Sequence, residues 1–198
     1  MVAANMERSH QLAGYTAQRH YTVSYRGFPA PLSASMVVEV TYTAPSTKSF
    51  RVISHTGAKL LFDEVLSKLL KSEEEAARNP SETALTPDNY QFTLVGKETI
   101  AHRKSYVLHA EPKSESKFLY RGKIWVDAED CAVTQIEAEP AKNPSFWIKD
   151  TKVHHVYAKT AQFWLPANNR SETIMRFGGT AVLTIDYGPY EVEAAAPH

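Results

Sequence analysis

Eight histidines, one cysteine and 22 acidic side chains are the residues of this 198-residue chain with which it could bind a metal or move protons. Their spacing argues against both. His154 and His155 are adjacent in a stretch that reads as a strand, where successive side chains point to opposite faces, so one ion is not easily shared between them. No His-Glu-x-x-His and no His-x-His pair occurs. Asp127-Ala128-Glu129-Asp130 is acidic but lacks the spacing and glycine of a calcium loop, and it reads as a solvated hairpin tip. Cys131 is the only cysteine, which excludes an internal disulfide and a cysteine-based zinc site. It stands at a strand start with no motif pointing to a histidine partner, no Gly-x-Ser-x-Gly elbow exists, and Cys131 is given no role. Gly178-Gly179 is a tight turn with no helix after it to bind phosphate. Glu137 and Glu139 share the polar face of one strand, whereas glycoside chemistry needs carboxylates across a cleft. The chain is therefore expected to be no enzyme, and to need no metal and no cofactor.

The elements around these residues are mostly strands. In Lys117 to Asp127 the even positions hold Phe118, Tyr120, Gly122, Ile124 and Val126, and the odd positions carry mainly charge. That alternation describes a sheet with one covered and one solvated face. Tyr15, Ala17, Arg19, Tyr21, Val23 and Tyr25 share one face of a first strand. Further strands are expected at 35–43 and 50–55, making a meander with the first, and at 90–98, 105–111, 118–127, 132–139, 152–160, 163–177 with a break at Pro166, and 180–190.

One helix interrupts them, Lys59 to Arg78. At about 100° per residue, Leu61, Phe62, Val65, Leu66, Leu69 and Leu70 cover roughly half its circumference. Such a wide stripe calls for a concave partner. Asn79-Pro80 ends the helix, and Glu73-Glu74-Glu75 near its C-terminus read as a solvated last turn. Residues 81–89 read as a polar loop. About ten strands with one apolar side tend to curl into a barrel or half-barrel, because a flat sheet leaves long edges. The expectation is a mainly β (α+β) fold: a curved antiparallel sheet forming an unclosed barrel, with the amphipathic helix lidding its concave side. It forms one domain over residues 1–198, with a short N-terminal helix within 1–14 and a disordered tail at 192–198.

Charge and hydropathy narrow the partners. Twenty-two basic residues balance 22 acidic ones, so no basic stripe marks nucleic-acid binding. No stretch approaches the roughly 20 apolar residues of a membrane-spanning helix. The start Met1-Val2-Ala3-Ala4 reads as standing in place of a removed leader. The segments 140–148 and 163–166 place Phe146, Trp147 and Ile148, then Phe163, Trp164 and Leu165, beside prolines. Loops carry such residues when they cap a core or touch a ligand or partner.

The run Phe118-Leu119-Tyr120-Arg121-Gly122-Lys123-Ile124-Trp125-Val126-Asp127-Ala128-Glu129-Asp130, followed by Glu139 to Trp147, Phe163 to Pro166 and Ile185-Asp186-Tyr187, resembles bacterial outer-membrane lipoprotein-sorting proteins. These belong to the lipoprotein-carrier superfamily of LolA, LolB and LppX-like proteins, and the likeness spans about Tyr15 to Tyr190. It implies an unclosed antiparallel barrel whose helices lid an apolar cavity that receives acyl chains. Carriers of this kind open and close an arginine-linked lid, of which the sequence offers no clear equivalent.

The resemblance points to a periplasmic, non-enzymatic carrier or binder of lipid or lipoprotein acyl chains. The second expectation is an envelope sensor or interaction module that uses the same fold to hold an envelope or outer-membrane protein. The expected cavity lining is Val38, Val40, Phe50, Leu61, Phe62, Val65, Leu66, Leu69, Phe92, Leu94, Leu108, Phe118, Ile124 and Ile185, with Phe146, Trp147 and Trp164 at a rim.

Overall fold

Period-two alternation dominates the chain, and the computed structural model, which describes residues 1–143 and 145–195, turns it into one sheet of ten antiparallel strands. The strands are β1 (Leu12–Arg26), β2 (Leu32–Thr43), β3 (Thr47–Gly57), β4 (Tyr90–Ile100), β5 (Arg103–Pro112), β6 (Tyr120–Asp127), β7 (Val133–Pro140), β8 (Ile148–Thr160), β9 (Phe163–Met175) and β10 (Thr180–Ala194). Their order across the sheet is β3-β2-β1-β10-β9-β8-β7-β6-β5-β4. Every connection but one is a hairpin between neighbours. The exception is the helical segment between β3 and β4, the two edges that the sheet leaves unpaired, so the barrel does not close. Irregular register at Ala17/Arg19, Val37/Val38, Leu94/Gly96 and Val156/Tyr157 bends the strands locally.

Five helical pieces accompany the sheet. Helix α1 (Val2–Gln11) is docked by Arg8, whose Nη1 donates to the Asp130 carbonyl at 2.6 Å. The lid begins with α2 (Lys59–Leu61), passes through a π-helical turn (Phe62–Leu66) and continues as α3 (Ser67–Arg78); α4 (Pro80–Thr83) follows. The π turn departs from the uniform α-helix expected over 59–78: the Ser67 N–H bonds the Phe62 carbonyl five residues back. Its effect is on phase. In an α-helix Leu61 and Leu66 would stand about 140° apart, yet here both are buried in the same core.

That core lies between the lid's first half and strands β1, β2 and β10. It contains Tyr21, Val23, Ala34, Met36, Val38, Val40 and Ile185 with Leu61 and Leu66, and Phe50, Phe62, Val65 and Leu69 pack against it. Two smaller clusters, around Ile124 with Ile136 and around Tyr90 with Leu119, lie under the other half of the sheet.

Several boundaries differ from the sequence reading. Residues 192–194, expected as tail, continue β10 because Val192 pairs with Tyr15 and Ala194 with Leu12; residues 196–198 lie outside the described residues. Pro166 does not break β9, since it pairs with Tyr157 at an irregular step that spares the missing N–H. Part of the expected 81–89 loop is α4, closed off by Asn89, whose Nδ2 donates to the Ser81 and Ala84 carbonyls.

The acidic turn after β6 is only partly a solvated tip: Glu129 is exposed, but Asp127 and Asp130 are not. Asp127 is 1% exposed and accepts two bonds from Arg103, at 2.6 and 2.8 Å. Asp130 accepts from Lys159 at 2.8 Å and from the Trp164 indole at 3.0 Å. These cations, distant in sequence, neutralise a cluster that looks solvated when its own neighbours alone are read.

Candidate functional site

Register carries one inward-facing residue of each strand into a row across the concave face: Leu94, Leu108, Ile124, Ile136, His155, Asn169, Ile185, Tyr21, Met36 and His55. The adjacent row, one pleat nearer the β7–β8 and β9–β10 hairpin turns, reads Phe92, Ala110, Gly122, Ala138, Val153, Ser171, Leu183, Val23, Ala34 and Gly57. Side-chain size in this second row decides what is solid and what is hollow. Over Val23 and Ala34 the lid's Leu61 and Leu66 fill the space. Over Ala110, Gly122 and Ala138 no large side chain rises from the sheet, and no residue of α3 is fully buried. A hollow of about 320 Å³ results. That is room for about ten water-sized groups, at the lower end of the range for ligand sites.

The roof of the hollow is the inner face of α3, Leu69, Ser72, Glu73 and Ala76, continued by Thr83 and Leu85. Its floor and walls include Tyr90, Tyr120, Gly122, Ile124, Ile136, Val153, His155, Tyr157, Asn169, Ile185 and Tyr187. Phe118 and Lys117 border it from the loop before β6, and the Lys117 ammonium holds Glu75 of the lid at 2.9 Å. Gly122 is required by close approach: a Cβ there would lie 2.2 Å from the Glu137 carbonyl oxygen of β7.

One charge cluster stands at the apolar edge of this space. Glu73 of α3 accepts from the Arg19 guanidinium at 2.8 Å, from the Tyr21 hydroxyl at 3.1 Å and from the Lys48 ammonium at 3.3 Å. Arg19, on the buried face of β1, is 1% exposed and stacks 4.6 Å over the Tyr187 ring. The helix is thereby pinned to the sheet by one carboxylate serving three donors. The rest of the interior is neutral. Burial pushes His155 down to about 4, so it is uncharged at pH 7, and burial lifts the hydroxyl of Tyr157 to about 12 and that of Tyr187 well above its ordinary value. Asn169 Oδ1 is buried without a partner. No group of three or more His, Cys, Asp or Glu side chains is placed to hold a metal among the described residues.

The expected lining divides into four parts. Leu69, Phe118, Ile124 and Ile185 border the hollow. Val38, Val40, Leu61 and Leu66 belong to the solid core, with Phe50, Phe62 and Val65 packed against it, because the lid's N-terminal half sits directly on β1 and β2. Phe92 and Leu108 pack on the Ile124 cluster. Leu94 is 58% exposed, since it lies on the edge strand β4 beyond the reach of the lid. Nor do the expected rim residues form one rim. Phe146 and Trp147 precede β8, while Trp164 lies at its far end with Lys159, bonded to Asp130.

The sequence reading missed Arg19, Lys48 and Glu73, and Glu73 is paired and mostly covered where a solvated turn was expected. A signal existed: Arg19 is the one charged residue on the otherwise apolar face of Tyr15 to Tyr25. A charge on a core face requires a buried partner. Through Glu73, Arg19 ties the helix to the sheet.

Comparison with known proteins agrees with this architecture. Residues 35–131, just under half of the chain, match the family model described as the MucB/RseB N-terminal domain. No curated protein matches the sequence significantly. Among solved structures, a DUF1329 family protein from Desulfovibrio piger is 15% identical, with a TM-score of 0.50 over 99% of this chain and 92% of its own. A LolA superfamily protein from Nitrosomonas europaea is 12% identical, with a TM-score of 0.37 over 92% of this chain and 87% of its own. A chain of the Pseudomonas aeruginosa MucA/MucB complex is 12% identical, with a TM-score of 0.31 over 97% of this chain and 92% of its own. At 15% identity, the likeness to the Desulfovibrio piger protein is one of fold.

Proposed function

We propose that this protein is a non-enzymatic carrier or binder of lipid or lipoprotein acyl chains in the bacterial envelope, working in the periplasm. The observation that carries the reading is the hollow between α3 and the small-residue row Ala110, Gly122 and Ala138. Each methylene taken from water contributes about 0.8 kcal/mol, so about ten of them give a gross gain near 8 kcal/mol. That suffices for measurable binding after ordering costs are met. The neutral His155 and the buried hydroxyls suit an uncharged chain, and the Glu73 cluster leaves no free charge for the ligand to bury.

Native mass spectrometry of freshly purified protein should show a bound lipid, or an added fatty acid should displace an environment-sensitive dye. Neither occurring would refute the carrier reading. The match of residues 35–131 to the MucB/RseB N-terminal domain favours a second reading, an envelope sensor or interaction module that holds a protein partner. It is distinguished by a stable partner in envelope extracts together with no uptake of any apolar compound.

A further inference from the structure

We propose that the end of the sheet formed by the β1–β2, β7–β8 and β9–β10 loops is a docking surface for an anionic lipid bilayer. Four aromatic side chains project there: Phe28 is 90% exposed, Phe177 73%, Phe146 71% and Trp147 59%. Burial normally claims such residues, and a cluster of them in water marks an interaction site.

The three loops form one surface. The Tyr25 hydroxyl donates to the Phe28 carbonyl at 3.2 Å and faces the Gly178 carbonyl at 3.4 Å, joining the first loop to the third. The Arg176 N–H donates to the Trp147 carbonyl at 2.9 Å, and the Trp147 and Phe177 rings stand 5.3 Å apart, joining the third to the second. Phe146 meets Trp147 edge-on and lies under the Arg176 guanidinium.

Charge selects the partner. Segments 25–32, 141–149 and 174–180 contain Arg26, Lys142, Lys149 and Arg176 and not one aspartate or glutamate, in a chain whose net charge is zero. All four cations are exposed, and they form no ion pair among the described residues. At the other end of the sheet, by contrast, Arg103 and Lys159 are occupied by Asp127 and Asp130. Aromatic tips among unpaired cations match the boundary of an anionic bilayer, where rings sit at headgroup depth and each cation adds attraction. Exposure of half or more at every ring describes tips on three separate loops, not the walls of a groove. A deformable lipid surface accepts such tips without a matching pocket. The small-residue row over the hollow lies on this same side of the sheet, so docking would turn it toward the membrane.

The test is flotation of the intact protein with vesicles of phosphatidylethanolamine containing about one-third phosphatidylglycerol, against pure phosphatidylcholine. The protein should float with the anionic vesicles only, and raising salt from about 50 to about 500 mM should release it. Phe28→Ser with Phe177→Ser should weaken binding about tenfold, and Arg176→Glu at least fivefold, with melting temperatures unchanged because all three sites are exposed. Dye uptake by the hollow should be unaffected in these variants, which separates this result from a failure of the carrier reading. No flotation of the wild type, equal binding to both vesicle types, or unchanged binding of the folded double variant would overturn the proposal. So would self-association through this face without lipid binding.

Discussion

At the scale of single residues, two buried titratable groups make opposite kinds of demand on the fold. Asp127 is held as a carboxylate by the Arg103 guanidinium, with the Glu129 and Asp130 N–H groups also donating to it, and its folded value falls to about 2 from the usual 3.8. A depressed carboxylate stabilises the fold fully above its unfolded value, and the contribution disappears as pH drops from about 4 to 2. Asp127→Asn should therefore cost about 2 kcal/mol at pH 7, and urea denaturation should show the gap to wild type closing across that acid window. His155 works at a higher pH. Its folded value of about 4 lies below its unfolded 6.5, so the unfolded chain takes the proton first. Stability is complete above 6.5 and falls as pH drops toward 4, by about 3 kcal/mol in all. His155→Phe, which keeps the ring without the proton, should flatten the stability profile between those values and leave the Asp127 window intact. A slope unchanged in His155→Phe would mean that this imidazole is solvated.

The lid is the element on which the site depends, and its two halves are held differently. The first half is bound by apolar packing, with Leu66 fully buried against β1 and β2. Leu66→Asp places an unpaired carboxylate there, and it should unfold the domain or abolish uptake of apolar ligands; a folded, ligand-competent variant would contradict the packing described. The second half is bound by Glu73. Glu73→Gln leaves the Arg19 guanidinium buried without its counter-charge, which should cost about 3 kcal/mol in denaturant titration. The helix itself was legible from its apolar stripe, and the ten strands from alternation such as Phe118 to Val126. The bond from Arg19 to Glu73 was not, because two residues 54 positions apart are matched only by the folded register. The π turn was equally silent. Local periodicity cannot show that Leu61 and Leu66 must both reach the same core, and the helix meets that demand by rewinding.

Across the whole molecule, the concave side is half packed and half empty, and side-chain volume divides the two. Listing apolar residues on inward faces counts Val38 and Ile124 alike, yet only Ile124 borders the space, because the lid fills the β1–β2 side and stands clear of the β6–β7 side. What makes the hollow is the absence of bulk at Ala110, Gly122 and Ala138, three residues in register on adjacent strands. Filling it should therefore separate stability from binding. Ala138 faces the hollow on β7 and lies beside Ile136. Ala138→Leu directs three more carbons into the space, where burial without displaced neighbours should raise stability by about 1 kcal/mol. The same carbons occupy the volume a ligand chain would take, so dye uptake should fall sharply while the melting temperature holds or rises. A variant that is stable and still takes up the dye would place apolar binding elsewhere. One that loses stability would mean that α3 already sits closer to β7 than a leucine allows.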